Sequence, residues 1–256
     1  MALTVNTNVF SLAAQKNLNR TQSNLESSIQ RLSSGLRINM AKDDAAGLAV
    51  AQLQMGQARG LTVAQRNIAD GTSYLNVADS TLQTVSDMLQ RQRELAVQYA
   101  SGLYNTQQQS YMETEFDALT TEITESLSRA SFNGTGVFGG GGDIQVGANA
   151  SEVITITAND PGVSGTIGDI ASLDTDLDAV ATELANIGSL QSRLEYAGRV
   201  AATMEEAQYA AAGRIMDADF ARETAKMTSA QVIQQAGVAA LAQANSIPQL
   251  ALSLLR

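Results

Sequence analysis

Apolar residues at heptad spacing near the amino terminus constrain the fold more than any other feature of this 256-residue sequence. Leu18, Leu25 and Leu32 lie seven residues apart, and Ile29 and Leu36 each follow a leucine by four residues. Side chains with this spacing form one stripe along an α-helix, and such a stripe is normally buried against another helix. The pattern therefore predicts a long helix that pairs as a coiled coil.

The same stripe extends toward the amino terminus, where its surroundings become more polar. Val5, Val9 and Leu12 continue the spacing, but Thr and Asn residues stand between them. We expect this part to be helical only when it packs against a partner, because short isolated helices are marginal in water. The helix is predicted to break near Gly35, after two serines.

A second stripe, narrower and richer in small residues, lies near the carboxyl terminus. It predicts a helix over Phe220–Asn245 with a seam at Met227, Ala230, Ile233, Gly237 and Leu241. Pro248 is expected to interrupt that helix, leaving an apolar tip at Leu250, Leu252, Leu254 and Leu255. Two terminal helices of about 40 residues would each be about 60 Å long, so we expect them to pair with each other and with neighbouring copies.

Between the terminal stripes, the pattern predicts three more helices. The carboxylates of Asp43 and Asp44 favour the start of one through capping and the helix dipole, and it should end near Ala100. The other two are predicted over Thr106–Ser128 and over residues 174–212, with alternate acidic residues capping the second at Asp174, Asp176 and Asp178.

Composition changes at Asn133, where glycines replace the helical pattern. Each Gly costs about 1 kcal/mol relative to Ala in a helix, so residues 133–142 should not be helical, and we interpret Gly139–Gly142 as a linker. β-Branched residues then alternate in Asp143–Val146 and Val153–Thr157 on either side of a turn, which predicts a β-hairpin.

The predicted fold class is mainly α. Both termini are expected to form a long antiparallel helical coiled-coil bundle, with a small β-hairpin and loop region in the middle of the chain. Five divisions are expected: the amino-terminal coiled-coil helix, the first part of a helical core, the hairpin region, the second part of the core and the carboxyl-terminal coiled-coil helix. These occupy residues 1–42, 43–132, 133–173, 174–215 and 216–256.

Residue usage argues against catalysis, cofactors and bound metal. The chain has no Cys and no His, which removes thiolate chemistry, the commonest general base and the commonest metal ligands. Only 4% of the residues are aromatic, which favours closely packed long helices over a thick globular core. We therefore expect no catalytic, cofactor-binding or metal-binding residues.

Charge and hydropathy narrow the choice of partner and compartment. The net charge is −10, and the modest basic excess of residues 1–42 lies on a segment needed for helix pairing, so nucleic-acid binding is not expected. No apolar run reaches the length of a membrane span, so membrane insertion is not expected either. The first residues lack the basic and apolar regions of a cleaved signal peptide, and we expect none.

Nine short segments, spread over most of the chain, carry the motifs that identify a resemblance to a known family. They lie at residues 32–39, 42–47, 91–98, 132–134, 144–150, 215–221, 234–237, 241–245 and 252–256. Together these segments resemble the bacterial flagellin family, and in particular a short flagellin that lacks the large outer variable domains. The resemblance implies a structural subunit that polymerises into the flagellar filament, the propeller for swimming.

The flagellin resemblance also implies partners and a location. In that family the termini are disordered in the free monomer and form a coiled coil lining the filament interior. Export uses the flagellar type III apparatus, so the expected location is secreted and extracellular, in the filament. The expected partners are other copies of the chain, an export chaperone, the filament cap and hook-junction proteins. The residues expected in assembly are Val5, Val9, Leu12, Leu18, Leu25, Ile29, Leu32, Leu36, Met227, Ile233, Leu241, Leu252, Leu254 and Leu255.

A further contact follows from the motif at residues 91–98. In many flagellins the matching segment binds the vertebrate Toll-like receptor for flagellin, and the corresponding residues here are Arg91, Leu95 and Glu115. A contact between subunits is the primary role that we expect for this surface, and receptor recognition is the second hypothesis.

Three alternatives to a filament subunit share some of these features. A flagellin-like hook–filament junction protein would share the terminal helices, but the motifs at residues 91–98 and 252–256 favour flagellin. A zinc protease of the kind that some flagellins carry needs two histidines, which this chain lacks. Heptads alone would also allow an unrelated coiled-coil or membrane-active protein, but the ordered series of motifs does not.

Overall fold

The computed structural model describes the backbone of residues 7–254 and the side chains of residues 7–246. Within this part, five helices and four short strands follow one another along the chain, which confirms a mainly α fold. Their bounds are Val9–Ser34 (α1), Ala45–Tyr99 (α2), Thr106–Arg129 (α3), Ser131–Phe132 (β1), Thr135–Gly136 (β2), Gly140–Gln145 (β3), Val153–Ala158 (β4), Ile170–Met216 (α4) and Phe220–Leu254 (α5).

The chain forms two compact units, and both divisions fall inside long helices. The terminal unit contains the residues up to Met55 and those from Tyr209 onward, and the central unit contains Gly56–Gln208. The five divisions predicted from the sequence stay predictions.

In the terminal unit, α1 and α5 run antiparallel. Near one end of the pair, the Asn8 side-chain amide donates to the carbonyl oxygen of Ala244 at 2.8 Å. At the other end, the backbone N–H of Ala218 donates to the carbonyl oxygen of Gly35 at 2.9 Å. This confirms that both termini pair as an antiparallel coiled coil.

Local signals fix both ends of α1 and the start of α2. Asn8 caps α1 by accepting a hydrogen bond from the Ser11 N–H, and Gly35 ends the helix with φ of 73°. Asp44 accepts from the Gly47 N–H at 2.9 Å, which satisfies one of the free donors in the first turn of α2. The predicted break near Gly35 and the predicted start of α2 are both confirmed.

The central unit has a continuous apolar core formed by α2, α3, α4 and the two hairpins. Its fully buried large side chains include Leu75, Leu82, Leu89, Ile123, Leu173, Ile187 and Leu194. A capping box between Asn105 and Gln108 starts α3, within a short connection after α2. Long helices therefore form most of this core, and it contains few aromatic residues, as the composition indicated.

The hairpin region contains more strand than the sequence predicted. The expected hairpin is present as β3 and β4, which pair antiparallel, but β3 already begins at Gly140. The interpretation of Gly139–Gly142 as a linker is therefore wrong for its last three residues. A Cβ on Gly141 would collide with the carbonyl oxygen of Ile156, so the glycine allows the strands to approach. A second, shorter hairpin of β1 and β2 was not predicted.

Helix α4 begins earlier than expected. It starts at Ile170, and Asp169 accepts hydrogen bonds from the backbone N–H groups of Ala171 and Ser172 at 3.1 and 3.3 Å. The prediction that Asp174, Asp176 and Asp178 cap this helix is wrong, because all three lie inside it. The capping carboxylate stands one turn earlier.

Helix α5 continues beyond Pro248 to Leu254. The prediction that this proline interrupts the helix is wrong for the backbone. A proline inside a helix removes one hydrogen bond and costs about 3 kcal/mol, but the residues on both sides can still be helical. Val5 and Leu255 lie outside the described residues, and nothing is described of the side chains of Leu250, Leu252 and Leu254.

Candidate functional site

The side of α1 that faces α5 carries mostly small and polar residues. Buried or half-buried side chains recur at alternating spacings of three and four residues, at Ser11, Ala14, Leu18, Thr21, Leu25, Ser28 and Leu32. This alternation is the heptad pattern of a coiled-coil seam. The predicted leucines at positions 18, 25 and 32 lie in this seam, and Leu36 just beyond α1 is also half-buried.

Helix α5 presents a matching seam. Between residues 221 and 245, the side chains that are not exposed are Glu223, Met227, Ala230, Gln234, Gly237, Leu241 and Ala244. The seam of α5 includes Met227 and Leu241, both predicted from the sequence. A Cβ placed on Gly237 would lie 3.3 Å from Leu18 Cδ1, so the two helices are close at this level.

Two isoleucines that were predicted as seam residues lie outside the seam. Ile29 is 49% exposed and Ile233 is 55% exposed. The neighbouring positions, Ser28 and Gln234, occupy the seam instead. The sequence pattern favoured the larger apolar residue at each site, but closely approaching helices leave room for small and polar side chains.

Large apolar side chains cover the outward faces of both terminal helices. The exposed members are Val9, Phe10, Leu12 and Ile29 on α1, and Phe220, Val232, Ile233 and Val238 on α5. Single exposed apolar residues are common on soluble proteins, but eight large ones on two paired helices favour an interaction surface. We name these eight residues the outward apolar face.

One charged layer lies within the seam. The Ser28 hydroxyl donates to Glu223 Oε1 at 2.9 Å, and Lys226 Nζ lies 3.3 Å from Glu223 Oε2. Burial raises the pKa of Glu223, but the hydrogen bonds from Ser28 and Lys226 and the charge of Arg31 outweigh burial. The pKa of Glu223 is therefore lower than its ordinary value, and the buried group is a carboxylate.

The residues predicted as a receptor or subunit contact lie in the central unit. Arg91 Nε donates to Glu115 Oε1 at 2.9 Å, and a second nitrogen of the same guanidinium donates to Glu94 at 3.0 Å. These carboxylates raise the pKa of Arg91. Both Arg91 and Glu115 are 47% exposed at the side chain, so they are accessible to a partner.

Leu95, the third predicted contact residue, is not accessible. Its side chain is 2% exposed, because it lies on the same face of α2 as the buried Gln92. The Gln92 amide donates to the Phe116 carbonyl oxygen at 3.2 Å and to Thr120 at 2.7 Å, which holds that face against α3. The role predicted for Leu95 in a subunit or receptor contact stays a prediction, and its buried side chain offers a partner little surface.

Two of the acidic residues at positions 174, 176 and 178 have separate hydrogen-bond partners. Asp174 accepts from Arg93 Nε at 2.6 Å, and Asp176 accepts from the backbone N–H of Gly165 at 2.7 Å. Among the described residues, no three His, Cys, Asp or Glu side chains form a group that could hold a metal ion. In the same part of the chain, no helix has the length and apolar character needed to cross a membrane.

Known proteins resemble this chain along almost all of its length. The family model of the bacterial flagellin N-terminal helical region matches residues 5–142, and that of the C-terminal helical region matches residues 170–255. The flagellar filament 33 kDa core protein of Treponema phagedenis is 36% identical, covering 98% of this chain and 99% of that protein. A flagellin of Halalkalibacterium halodurans is 35% identical with the same coverage of both chains.

Two further relatives are also flagellins. The flagellin of Bacillus subtilis is 35% identical, covering 96% of this chain and 98% of that protein. The crystal structure of Bacillus cereus flagellin has 29% identity and a TM-score of 0.49, covering 53% of this chain and 88% of that one. None of these matches favours the hook–filament junction alternative. The chain belongs to the bacterial flagellin family, whose members are structural subunits of the flagellar filament and not enzymes.

Proposed function

We propose that the outward apolar face is the surface through which this filament subunit assembles. The supporting observation is that eight large apolar side chains of the terminal helices are exposed outside the seam that joins the two helices. Pairing of α1 with α5 leaves these eight side chains exposed to water. Partner subunits would remove the outward face from water.

The energetics favour this use of the outward apolar face. Burying one large apolar side chain contributes about 1.5–3 kcal/mol, and ordering the helices offsets part of that gain. Eight such side chains are therefore enough to drive association of helices that are unstable alone. Val5, Leu252, Leu254 and Leu255 stay part of the proposal through the flagellin resemblance, since their side chains lie outside the described residues.

The proposal extends to the partners and the compartment of the subunit. The chain would be exported to the cell exterior and become part of the filament there. An export chaperone would cover the same apolar face before assembly, and the filament cap and hook-junction proteins would contact it at the two filament ends. The flagellin resemblance supports these partners.

Substitution of one outward residue by a charged one tests the assembly surface. We expect Ile233→Asp to abolish filament growth from short seeds, because a buried carboxylate without a partner is strongly unfavourable. Leu103→Asp is the matched control, since Leu103 is 92% exposed in the connection between α2 and α3. Electron microscopy and sedimentation would report filament length and mass. Normal filaments from Ile233→Asp would contradict the proposal.

A second candidate function is recognition by the Toll-like receptor for flagellin. The exposed Arg91–Glu115 pair favours it, because charged groups held in place by each other offer a rigid polar surface. A soluble monomer carrying Arg91→Ala should activate receptor-bearing cells less than the unmodified chain. The control Arg193→Ala, which removes an exposed arginine of α4, should not differ. Lack of activation by the unmodified monomer would rule this function out.

A further inference from the structure

The apolar residues of the α1–α5 seam do not by themselves select one alignment of the two helices. Counting from the Ser28–Glu223 contact, Leu25 lies level with Met227. If α5 slid by one heptad, Met227 would lie level with Leu32 and Leu241 level with Leu18. Large residues would again meet large residues. A heptad repeat thus permits several alignments with similar apolar burial.

The charged layer distinguishes between these alignments. In the slide just described, Glu223 would lie level with Gly35, the first residue after α1, and would lose the Ser28 hydroxyl. In the opposite slide it would lie level with Thr21, about 15 Å along α1 from Arg31. In either case the carboxylate loses part of its present set of partners, and removing a partner from a buried charge is costly.

We propose that the Ser28–Glu223 layer sets the register of the α1–α5 pair. A buried polar residue at a seam position is known to select register in coiled coils, at a cost in stability. The register of the α1–α5 pair also affects the surface used in assembly. It decides which residues of the outward apolar face lie side by side, so Ser28 and Glu223 are positioning residues for assembly.

The backbone contacts at the end of the seam support the same register. The N–H of Arg37 donates to the Met216 carbonyl oxygen at 2.6 Å, and the N–H of Ala218 donates to Gly35. Such contacts involve no specific side chain, so many sequences could form them at a shifted position. Glu223, by contrast, accepts from one particular hydroxyl.

Disulfide trapping in assembled filaments tests the proposal, because the chain has no Cys of its own. The pair Thr21→Cys and Ala230→Cys reports the native register, and the pair Ala14→Cys and Ala244→Cys reports a slide of one heptad. In the native background, only the first pair should form a disulfide within one chain. The readout is the intrachain cross-linked fraction after mild oxidation.

The main test uses a double variant, Ser28→Val with Glu223→Leu, in which the charged layer is replaced by apolar residues and the same reporter pairs are introduced. We expect the cross-linked fraction of the shifted pair to rise by about tenfold, the ratio that corresponds to a preference of about 1.4 kcal/mol for the native alignment. The control Gln234→Leu also adds an apolar residue to the seam but leaves the layer intact, and should not change the ratio. The single variant Ser28→Thr keeps both a hydroxyl and Glu223, and should show the same ratio as the unmodified layer.

Each outcome of this experiment counts for or against the register proposal. If the double variant does not assemble, Ser28→Ala with the same reporter pairs carries the test and should raise the shifted fraction by a smaller factor. A native-only pattern in every assembled variant would overturn the role of the layer. The register proposal concerns contacts within one subunit, so filaments that form normally but show no change in register would refute it while leaving the assembly proposal intact.

Discussion

Glu223 places a carboxylate inside the seam between α1 and α5, and its partners make the stability of that pair depend on pH. Ser28, Lys226 and Arg31 lower its pKa below the ordinary value of 4.5. A group with a lowered folded pKa contributes stability above its unfolded pKa, and that contribution is lost as the pH falls through the folded value.

This pH dependence predicts how Glu223→Gln changes the melting temperature. At pH 7 the variant should lose its helical signal at a lower temperature than the unmodified filament, because the amide lacks the charge that Lys226 and Arg31 favour. The difference should shrink as the pH falls below about 4.5. Circular dichroism melts at several pH values would measure it, with the exposed Glu26→Gln as a control. A difference that stays constant down to pH 3 would exclude this role for the carboxylate.

Replacing glycine by alanine should change the free energy of unfolding in opposite directions at two positions, one in a turn and one in a helix. Gly134 turns the chain between β1 and β2 with φ of 78°, whereas Gly188 lies inside α4, and an added Cβ would meet no atom within 4 Å at either position. Gly134→Ala should lower the free energy of unfolding by about 1–2 kcal/mol. Gly188→Ala should raise it by about 0.5–1 kcal/mol. Urea unfolding would measure both, and a change of the same sign in the two variants would contradict the assignment.

At the scale of whole elements, the sequence predicted helices well where local chemistry ends them. Gly35 and the capping residues around Asp44 and Asn105 act within one turn, so the amino-acid sequence itself contains the signals that begin or end these helices. The early start of α4 at Ile170 and the strand in the glycine run were missed. The glycine strand was missed because it forms by pairing with β4, a contact from elsewhere in the chain. The start of α4 depends on a local cap, since Asp169 accepts from the Ala171 and Ser172 N–H groups.

For the whole molecule, the sequence showed that both termini carry apolar stripes but not which residues face which partner. Ile29 and Ile233 fit a helical stripe as well as Ser28 and Gln234 do, and only the packing of α1 on α5 separates them. A subunit that must pair internally and also assemble carries apolar residues on two faces of one helix. Periodicity alone cannot divide those faces, and it likewise did not show that Leu95 is buried.

The most direct test of the central claim is a structure of the assembled filament by cryo-electron microscopy at side-chain resolution. We predict that Val9, Phe10, Ile29, Val232 and Ile233 lose most of their solvent exposure to neighbouring subunits. The seam between α1 and α5 should keep the Ser28–Glu223 contact. If those five side chains instead remain exposed to solvent in the filament, the account of how this flagellin assembles is wrong.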